Sequence, residues 1–262
     1  MALQLQRLGG QQRLAAKASG HFRGNSMSAG QLRGVIFDMD GVLVDSHAAH
    51  RKAWRLFFQT LGRDLPDHEL DFILDGRKRS EILRHFLGNC PEPDLEEFGR
   101  RKDSILRQVQ FDIVPLPGVV RTLRELYRNG TVLALATSAS CSRVRFTLGA
   151  LGLLHCFQVV VTGDDVVLGK PDSAIYRLAR QRIEIGSAHL LAVEDAISGV
   201  RAAAGAGLHC VGVALHETPE TLCAAGAVHV VPDFKCVSAD DLEGILLRCE
   251  SDNRMPESAH LS

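Results

Sequence analysis

Val35-Ile36-Phe37-Asp38-Met39-Asp40-Gly41-Val42 decides how this chain is read: three apolar residues run straight into two aspartates, two positions apart, and a glycine. An extended chain places side chains two apart on one side, so Asp38 and Asp40 would share a face, and Gly41 permits the turn that follows. Outward from this point, short apolar runs recur at Val132 to Ala136, Val159 to Val161, Leu190 to Val193, His209 to Val213 and Val228 to Val231. Segments of helical period separate them, at 117–129, 141–151, 172–182, 197–205, 217–225 and 239–248. That alternation predicts an α/β fold in which a parallel sheet is covered by crossover helices. Residues of about 48–114 interrupt the rhythm: no strand is evident, and helical patterning runs through Ala49 to Leu61, Ser80 to Leu87 and Leu95 to Val109. A helical insertion after the first strand is expected there, with Pro115-Leu116-Pro117-Gly118 marking the return and a proline suited to a helix start. The expected organisation is a core of 34–47 and 115–250, a cap of 48–114, a basic extension of 1–33 and a solvated tail of 251–262.

The 262 residues carry 30 Lys+Arg against 31 Asp+Glu and are 45% hydrophobic, the range of soluble globular proteins. The charge is unevenly placed. Residues 1–33 hold Arg7, Arg13, Lys17, Arg23 and Arg33 and no acid, so the 25 remaining basic residues face all 31 acidic ones. An acidic body argues against a nucleic-acid platform. No apolar run approaches the roughly 20 residues of a membrane span, and Leu14-Ala15-Ala16 is too short for a secretory signal core. Neither nucleic acid nor membrane is an expected partner, and the cytoplasm is the expected compartment. The seven cysteines (Cys90, Cys141, Cys156, Cys210, Cys223, Cys236 and Cys249) agree, being odd in number and scattered without a C-x-x-C pair. The leader reads as a disordered extension, with a targeting peptide or an upstream start before Met27 as alternatives.

In an open α/β sheet, ligands bind beyond the carboxyl ends of the strands, so the residues that end each apolar run carry the information. The first run ends in Asp38 and Asp40, the second in Thr137-Ser138, the fourth in Glu194-Asp195, and Lys170-Pro171 follows the third. Four carboxylates at one sheet edge are tolerated when something positive intervenes or protons are retained. A divalent cation meets that need, and all-oxygen ligands favour Mg²⁺ over zinc. With Lys170 and the Thr137 hydroxyl available to a phosphate, the set describes phosphoryl transfer. Taken singly, each member has a plainer reading: the D-x-D pair as a turn, Thr137 as a helix cap, Lys170 as a surface lysine, Glu194-Asp195 as a cap for a helix near Ile197. Their order and common position at strand ends favour function.

On these four segments, together with Gly199, residues of about 34–249 resemble the haloacid dehalogenase-like superfamily, in its phosphatase and β-phosphoglucomutase-like branch. The resemblance implies a Rossmann-like, doubly wound core with an inserted helical cap. It implies Asp38 as the nucleophile that forms an aspartyl-phosphate, and Asp40 as the acid that protonates the leaving oxygen and then activates water. Mg²⁺ would be held by Asp38, the backbone carbonyl of Asp40, Asp195 and, directly or through water, Glu194; Thr137, Ser138 and Lys170 would bind phosphate. An acid at position 40 sets the dehalogenase and phosphonatase branches aside. In the cap, His50 and Trp54 match residues of sugar-phosphate members, Leu74-Asp75-Gly76-Arg77-Lys78-Arg79 resembles the specificity loop with Arg79 as its arginine, and Lys102 falls at a further lysine of the cap. His50 would meet the leaving oxygen or Asp40; His47 and His50, three apart, have metal ligation as an alternative, but one of them is expected to be a solvated neighbour.

Two departures bear on the reaction. Asp75 stands where the mutase pattern has a lysine, and Ala139-Ser140-Cys141 where it has the Ser-Lys-Asn run that binds the nontransferring phosphate. Loss of that cation weakens the case for a bisphosphate intermediate. Hydrolysis of a small phosphate monoester, a sugar phosphate, is therefore the leading expectation. A β-phosphoglucomutase is the second, and a noncatalytic phosphosugar-binding protein the third. Oligomeric state stays open between monomer and dimer.

Overall fold

In the computed structural model, residues 31–109 and 114–252 are described; the expectations for residues 1–30 and 253–262 lie outside them. The chain runs β1 (Gly34–Phe37), α1 (His47–Gln59), α2 (Asp67–Leu74), α3 (Arg79–Leu87), α4 (Glu92–Val109), α5 (Val119–Arg128), β2 (Val132–Ala136), α6 (Cys141–Ala150) and β3 (Val159–Val161). It continues through α7 (Ala174–Ile183), β4 (Leu190–Glu194), α8 (Ile197–Gly205), β5 (His209–Val213), α9 (Pro219–Ala225), β6 (Ala227–Val231) and α10 (Ala239–Asp252). The strands form one parallel sheet in the order β3-β2-β1-β4-β5-β6, a Rossmann-like arrangement with a helical insertion after its first strand. Among the described residues, no helix is long and apolar enough to cross a membrane.

The two-residue period of the strands builds a core on each face of the sheet. Val35 and Phe37 join Leu133, Leu135, Leu191 and Val193 beneath α5, α6 and α10. Ile36, Ala134, Ala136, Leu190 and Ala192 face the other way, onto Ile175, Tyr176 and Ala179 of α7 and Val200 and Ala203 of α8. Burial on both faces explains why the strands read as unbroken apolar runs. The insertion has its own core, in which Trp54, Phe57 and Phe58 of α1 pack with Leu70, Ile82, Leu83, Phe86 and Leu95.

Two local readings of the sequence are corrected. Asp67–Leu74 is a helix that the pattern did not reveal, so the segment expected as a loop from Leu74 is a short turn between α2 and α3. Pro117 does not open α5; Gly118 lies between it and the first helical residue, Val119.

The strand order reverses at β1: β2 lies on one side of it and β4 on the other. The register pairs Phe37 with Leu135 and with Val193, so Asp38, Thr137 and Glu194 emerge at neighbouring strand ends. This is the crevice where an open α/β sheet binds its ligands.

Candidate active site

Asp38 leaves β1 with its N–H still bonded to the Val193 carbonyl at 3.0 Å, which fixes it against β4. The chain then turns, with Leu43 and Val44 both donating to the Met39 carbonyl. Gly41 makes the turn at φ 75°, and a Cβ on it would sit 1.7 Å from an Asp195 carboxylate oxygen. Gly199 likewise clears space for Glu194, whose carboxyl carbon would lie 2.1 Å from an added Cβ. Both glycines are therefore required by carboxylates packed against backbone.

Asp38, Glu194 and Asp195 are all buried and each offers an oxygen within 4.8 Å of the others. Lys170, also buried, donates to Asp38 Oδ1 at 2.7 Å and to Glu194 Oε1, and the Tyr176 hydroxyl donates to the same Glu194 oxygen at 2.7 Å. Burial pushes the Asp38 carboxyl up to about 7 in spite of Lys170, raises Glu194, and lifts Asp195 well above the usual carboxylate range. Burial alone would lower Lys170, but Asp38 and then Glu194 hold it above the ordinary lysine range and therefore charged. One ammonium for three buried carboxylates leaves room for a further cation. The three clustered groups offer only oxygens, so the set fits Mg²⁺, with Asp38 and Asp195 making fewer hydrogen bonds to other side chains than Glu194.

Thr137 is buried after β2, its N–H on the Val161 carbonyl and its hydroxyl accepting from the Ala139 N–H at 3.2 Å. It does not cap α6; Ser140 does, accepting from the Arg143 N–H. The Ser138 hydroxyl donates to the Gly76 carbonyl at 2.6 Å and so ties the sheet edge to the α2–α3 turn. Ser198 reinforces the seam, its hydroxyl donating to the Asp75 carbonyl and its N–H to Asp75 Oδ1 at 3.0 Å. Lys78 Nζ donates to the Val166 carbonyl, and Glu81 accepts from the Gly169 N–H at 2.7 Å, beside Lys170.

The Asp40 side chain stands apart from the three-carboxylate cluster. Arg143 donates to Asp40 Oδ1 at 2.8 Å through Nη1 and to Oδ2 through Nη2. Burial would raise this carboxyl, but the guanidinium outweighs it and holds Asp40 well below the usual range. His50 is also here, with Nε2 3.1 Å from Arg143 Nη1 and 3.7 Å from Asp40 Oδ1, and Nδ1 3.1 Å from Lys102 Nζ. Burial, and then Lys102, push His50 down to about 3; burial brings Lys102 down to about 7. Lys102 lies over the Trp54 ring at 5.0 Å. Arg79 lines the same cleft but is ion-paired with Asp103, which also accepts from Ser140 at 3.1 Å. His47 is not a solvated neighbour: it lies 3.3 Å from Asp195 and stacks on His216 at 3.8 Å between ring centroids.

Residues 35–213 match the sequence profile of the haloacid dehalogenase-like hydrolases. The chain belongs to this family. A haloacid dehalogenase-like hydrolase with this capped geometry has named relatives: protein CbbY of Cereibacter sphaeroides is 31% identical over 191 residues, covering 69% of this chain and 83% of that one. Hexitol phosphatase A of Escherichia coli K12 is 34% identical over 188 residues, 71% of this chain and 86% of its own. The crystal structure of CbbY from Rhodobacter sphaeroides in complex with phosphate superimposes with a TM-score of 0.72 at 28% identity, over 81% of this chain and 100% of that one. The present chain is accordingly an enzyme of the hydrolase class.

Sequence reasoning missed Arg143. The comparison with the mutase run covers only Ala139-Ser140-Cys141, whereas Arg143 sits at the third position of α6. A signal existed: the first turn of α6 contains no acid, and a cation there opposes the helix dipole, so something other than helix stability accounts for it. Arg143 therefore brings a cation into the cleft from beyond the residues aligned with the mutase run, which contain no lysine.

Proposed function

We propose that this enzyme is a Mg²⁺-dependent phosphatase of a small phosphate monoester, a sugar phosphate, acting in the cytoplasm through an aspartyl-phosphate. The observation that carries the reading is the pairing of two unlike aspartates in one cleft: Asp38 against Lys170 and two further carboxylates, Asp40 among the groups lining the cap side. A simple anion-binding site has no use for the second.

In the first half-reaction, an Asp38 carboxylate oxygen attacks phosphorus, the bond from phosphorus to the leaving oxygen breaks, and Asp40, which must first be released from Arg143 and take up a proton, gives that proton to the leaving oxygen. In the second, Asp40 takes a proton from water, whose oxygen attacks phosphorus, releasing inorganic phosphate and restoring Asp38. Lys170 neutralises charge beside Asp38 throughout; the Thr137 hydroxyl, which only accepts from Ala139, would donate to a phosphoryl oxygen, and Ser138 would do so only by giving up the Gly76 carbonyl. Asp38, the Asp40 carbonyl, Asp195 and, directly or through water, Glu194 would hold Mg²⁺, which would supply positive charge to the carboxylates and the phosphoryl group. His50, Lys102 and Arg79 would face the rest of the substrate from the cap, which Ser138 and Ser198 tie to the sheet edge.

The test is phosphate release from a panel of hexose, pentose and nucleoside monophosphates, with Mg²⁺ and with a chelator. Mg²⁺-dependent release from sugar phosphates is expected, and no release from any ester would reject a phosphatase. Arg143 favours a second reading, a β-phosphoglucomutase, because it returns a cation to the region of a nontransferring phosphate. Isomerisation of β-glucose 1-phosphate, primed with its bisphosphate, faster than phosphate release would establish it.

A further inference from the structure

Lys170 serves the sheet edge, but the loop that delivers it is held from the cap. Upstream of that loop, Thr162 and Asp165 close a capping box on each other; downstream, the Asp172 N–H donates to the Gly169 carbonyl at 2.9 Å. Between these two points burial does little, since Val167 is 91% exposed and Leu168 56%. The partners of this stretch come from the start of α3. Lys78 Nζ donates to the Val166 carbonyl and, at 3.2 Å, to the Val167 carbonyl, while Glu81 Oε1 accepts from the Gly169 N–H at 2.7 Å.

Gly169 adds a second observation. Its φ is not positive, so backbone conformation does not call for a glycine there. Space does: a Cβ would lie 2.5 Å from Lys78 Cγ and 2.9 and 3.0 Å from the two Glu81 carboxylate oxygens. These three nearest atoms all belong to the cap. The same short turn faces two ways, because Gly76, Arg77 and Arg79 line the cleft while Lys78 and Glu81 clasp the loop. We infer that Glu81, with Lys78 beside it, is a positioning residue for Lys170: from the cap it fixes the backbone that carries the ammonium to Asp38 and Glu194. The seating of the cap and the placement of charge beside Asp38 are thereby coupled. A substrate held against the α2–α3 turn also steadies Lys170.

This deepens the phosphatase reading and rests on it for turnover alone; exchange and unfolding test it independently. In the chain without substrate, Glu81→Ala should speed hydrogen exchange of the Gly169 amide, followed by NMR, by about tenfold or more. Glu81→Gln keeps an oxygen that accepts from this N–H and should restore most of the protection. An unchanged rate in Glu81→Ala would overturn the clasp. Urea unfolding of Glu81→Ala, Lys170→Met and the double variant, without Mg²⁺, then asks whether Glu81 acts through Lys170. The two losses should be less than additive, because a loop without its ammonium has no ion pair to steady; additive losses would overturn the coupling. In turnover, Glu81→Ala should lower kcat by about 3- to 30-fold with KM changed less, and Glu81→Gln should return most of it. A change in KM alone would show Glu81 seating the cap without positioning Lys170, and would overturn the inference. Absence of phosphate release from the wild-type chain would reject the phosphatase reading, while exchange and unfolding still decide the clasp.

Discussion

The floor and the upper wall of the cleft carry opposite charge problems. On the floor, Asp38, Glu194 and Asp195 share one lysine, and their carboxyls are all raised. On the wall, Arg143, Lys102 and His50 crowd together, and burial lowers Lys102 to about 7 and His50 to about 3. The floor is short of a cation, whereas the wall sets Asp40 and Asp103 against Arg143, Arg79 and Lys102. Asp40 stands at the border, two residues beyond Asp38 in the chain and with its side chain among the wall residues. The lesson is that the two regions answer charge differently: the floor fits a cation from outside the chain, while the wall pairs its cations with Asp40 and Asp103.

The largest break in this comparison comes from the floor. Asp38→Asn keeps the shape of the side chain but removes the attacking oxygen, and turnover should fall by about 10⁴-fold or more. Circular dichroism and the urea midpoint of the variant check that the fold survives. Activity near that of wild type would remove Asp38 from the role of nucleophile.

Lys170→Met comes next. It fills a similar volume but leaves Asp38 and Glu194 buried without their cation, and losing one partner of such a set destabilises by about 3–5 kcal/mol. Urea unfolding should register this loss without metal, and saturating Mg²⁺ should recover part of it. An equal loss with and without Mg²⁺ would show that the lysine and the metal do not answer the same charge.

The floor also has a signature in pH. Asp38 holds its proton more tightly folded than unfolded, so its contribution to stability is complete below about pH 4 and is lost as pH rises through about 7. His50 works in the opposite sense between about 3 and 6.5, because its folded value is the lower one. Subtracting Asp38→Asn from wild type, without metal, cancels His50 to first order. The difference in unfolding free energy should then fall between pH 4 and 8 by up to about 4 kcal/mol, the limit for a single uncoupled group. A flat difference would assign the retained proton to another carboxylate.

The floor was far more legible in the sequence than the wall, for a physical reason. A parallel sheet collects the residues that end its apolar runs, so Asp38, Thr137 and Glu194-Asp195 could be assigned to one edge from the pattern alone. The wall depends on how the inserted helices sit against α6, which no local period encodes. Arg143 was hidden inside a helix, and Arg79, expected to face substrate, also pairs with Asp103 of α4. Asp67–Leu74 was missed because eight residues with three acids and a histidine give too few turns for an apolar stripe to stand out.

The smallest effect concerns the seam between the two regions, where Ser138 is expected to bind phosphate yet donates to the Gly76 carbonyl. A hydroxyl has one proton, so it cannot donate to Gly76 and to a phosphoryl oxygen at once. If its main work is to hold the seam, Ser138→Ala removes one partly buried hydrogen bond, worth about 0.5–1.5 kcal/mol. That weakens closure and should raise KM by about 2- to 10-fold, with kcat little changed. If the hydroxyl instead turns to the transferring phosphoryl group, the loss falls on the transition state, and kcat drops with KM nearly constant. The ratio of the two effects in this one variant therefore assigns Ser138 to the seam or to the floor, and steady-state kinetics on the preferred ester measures it.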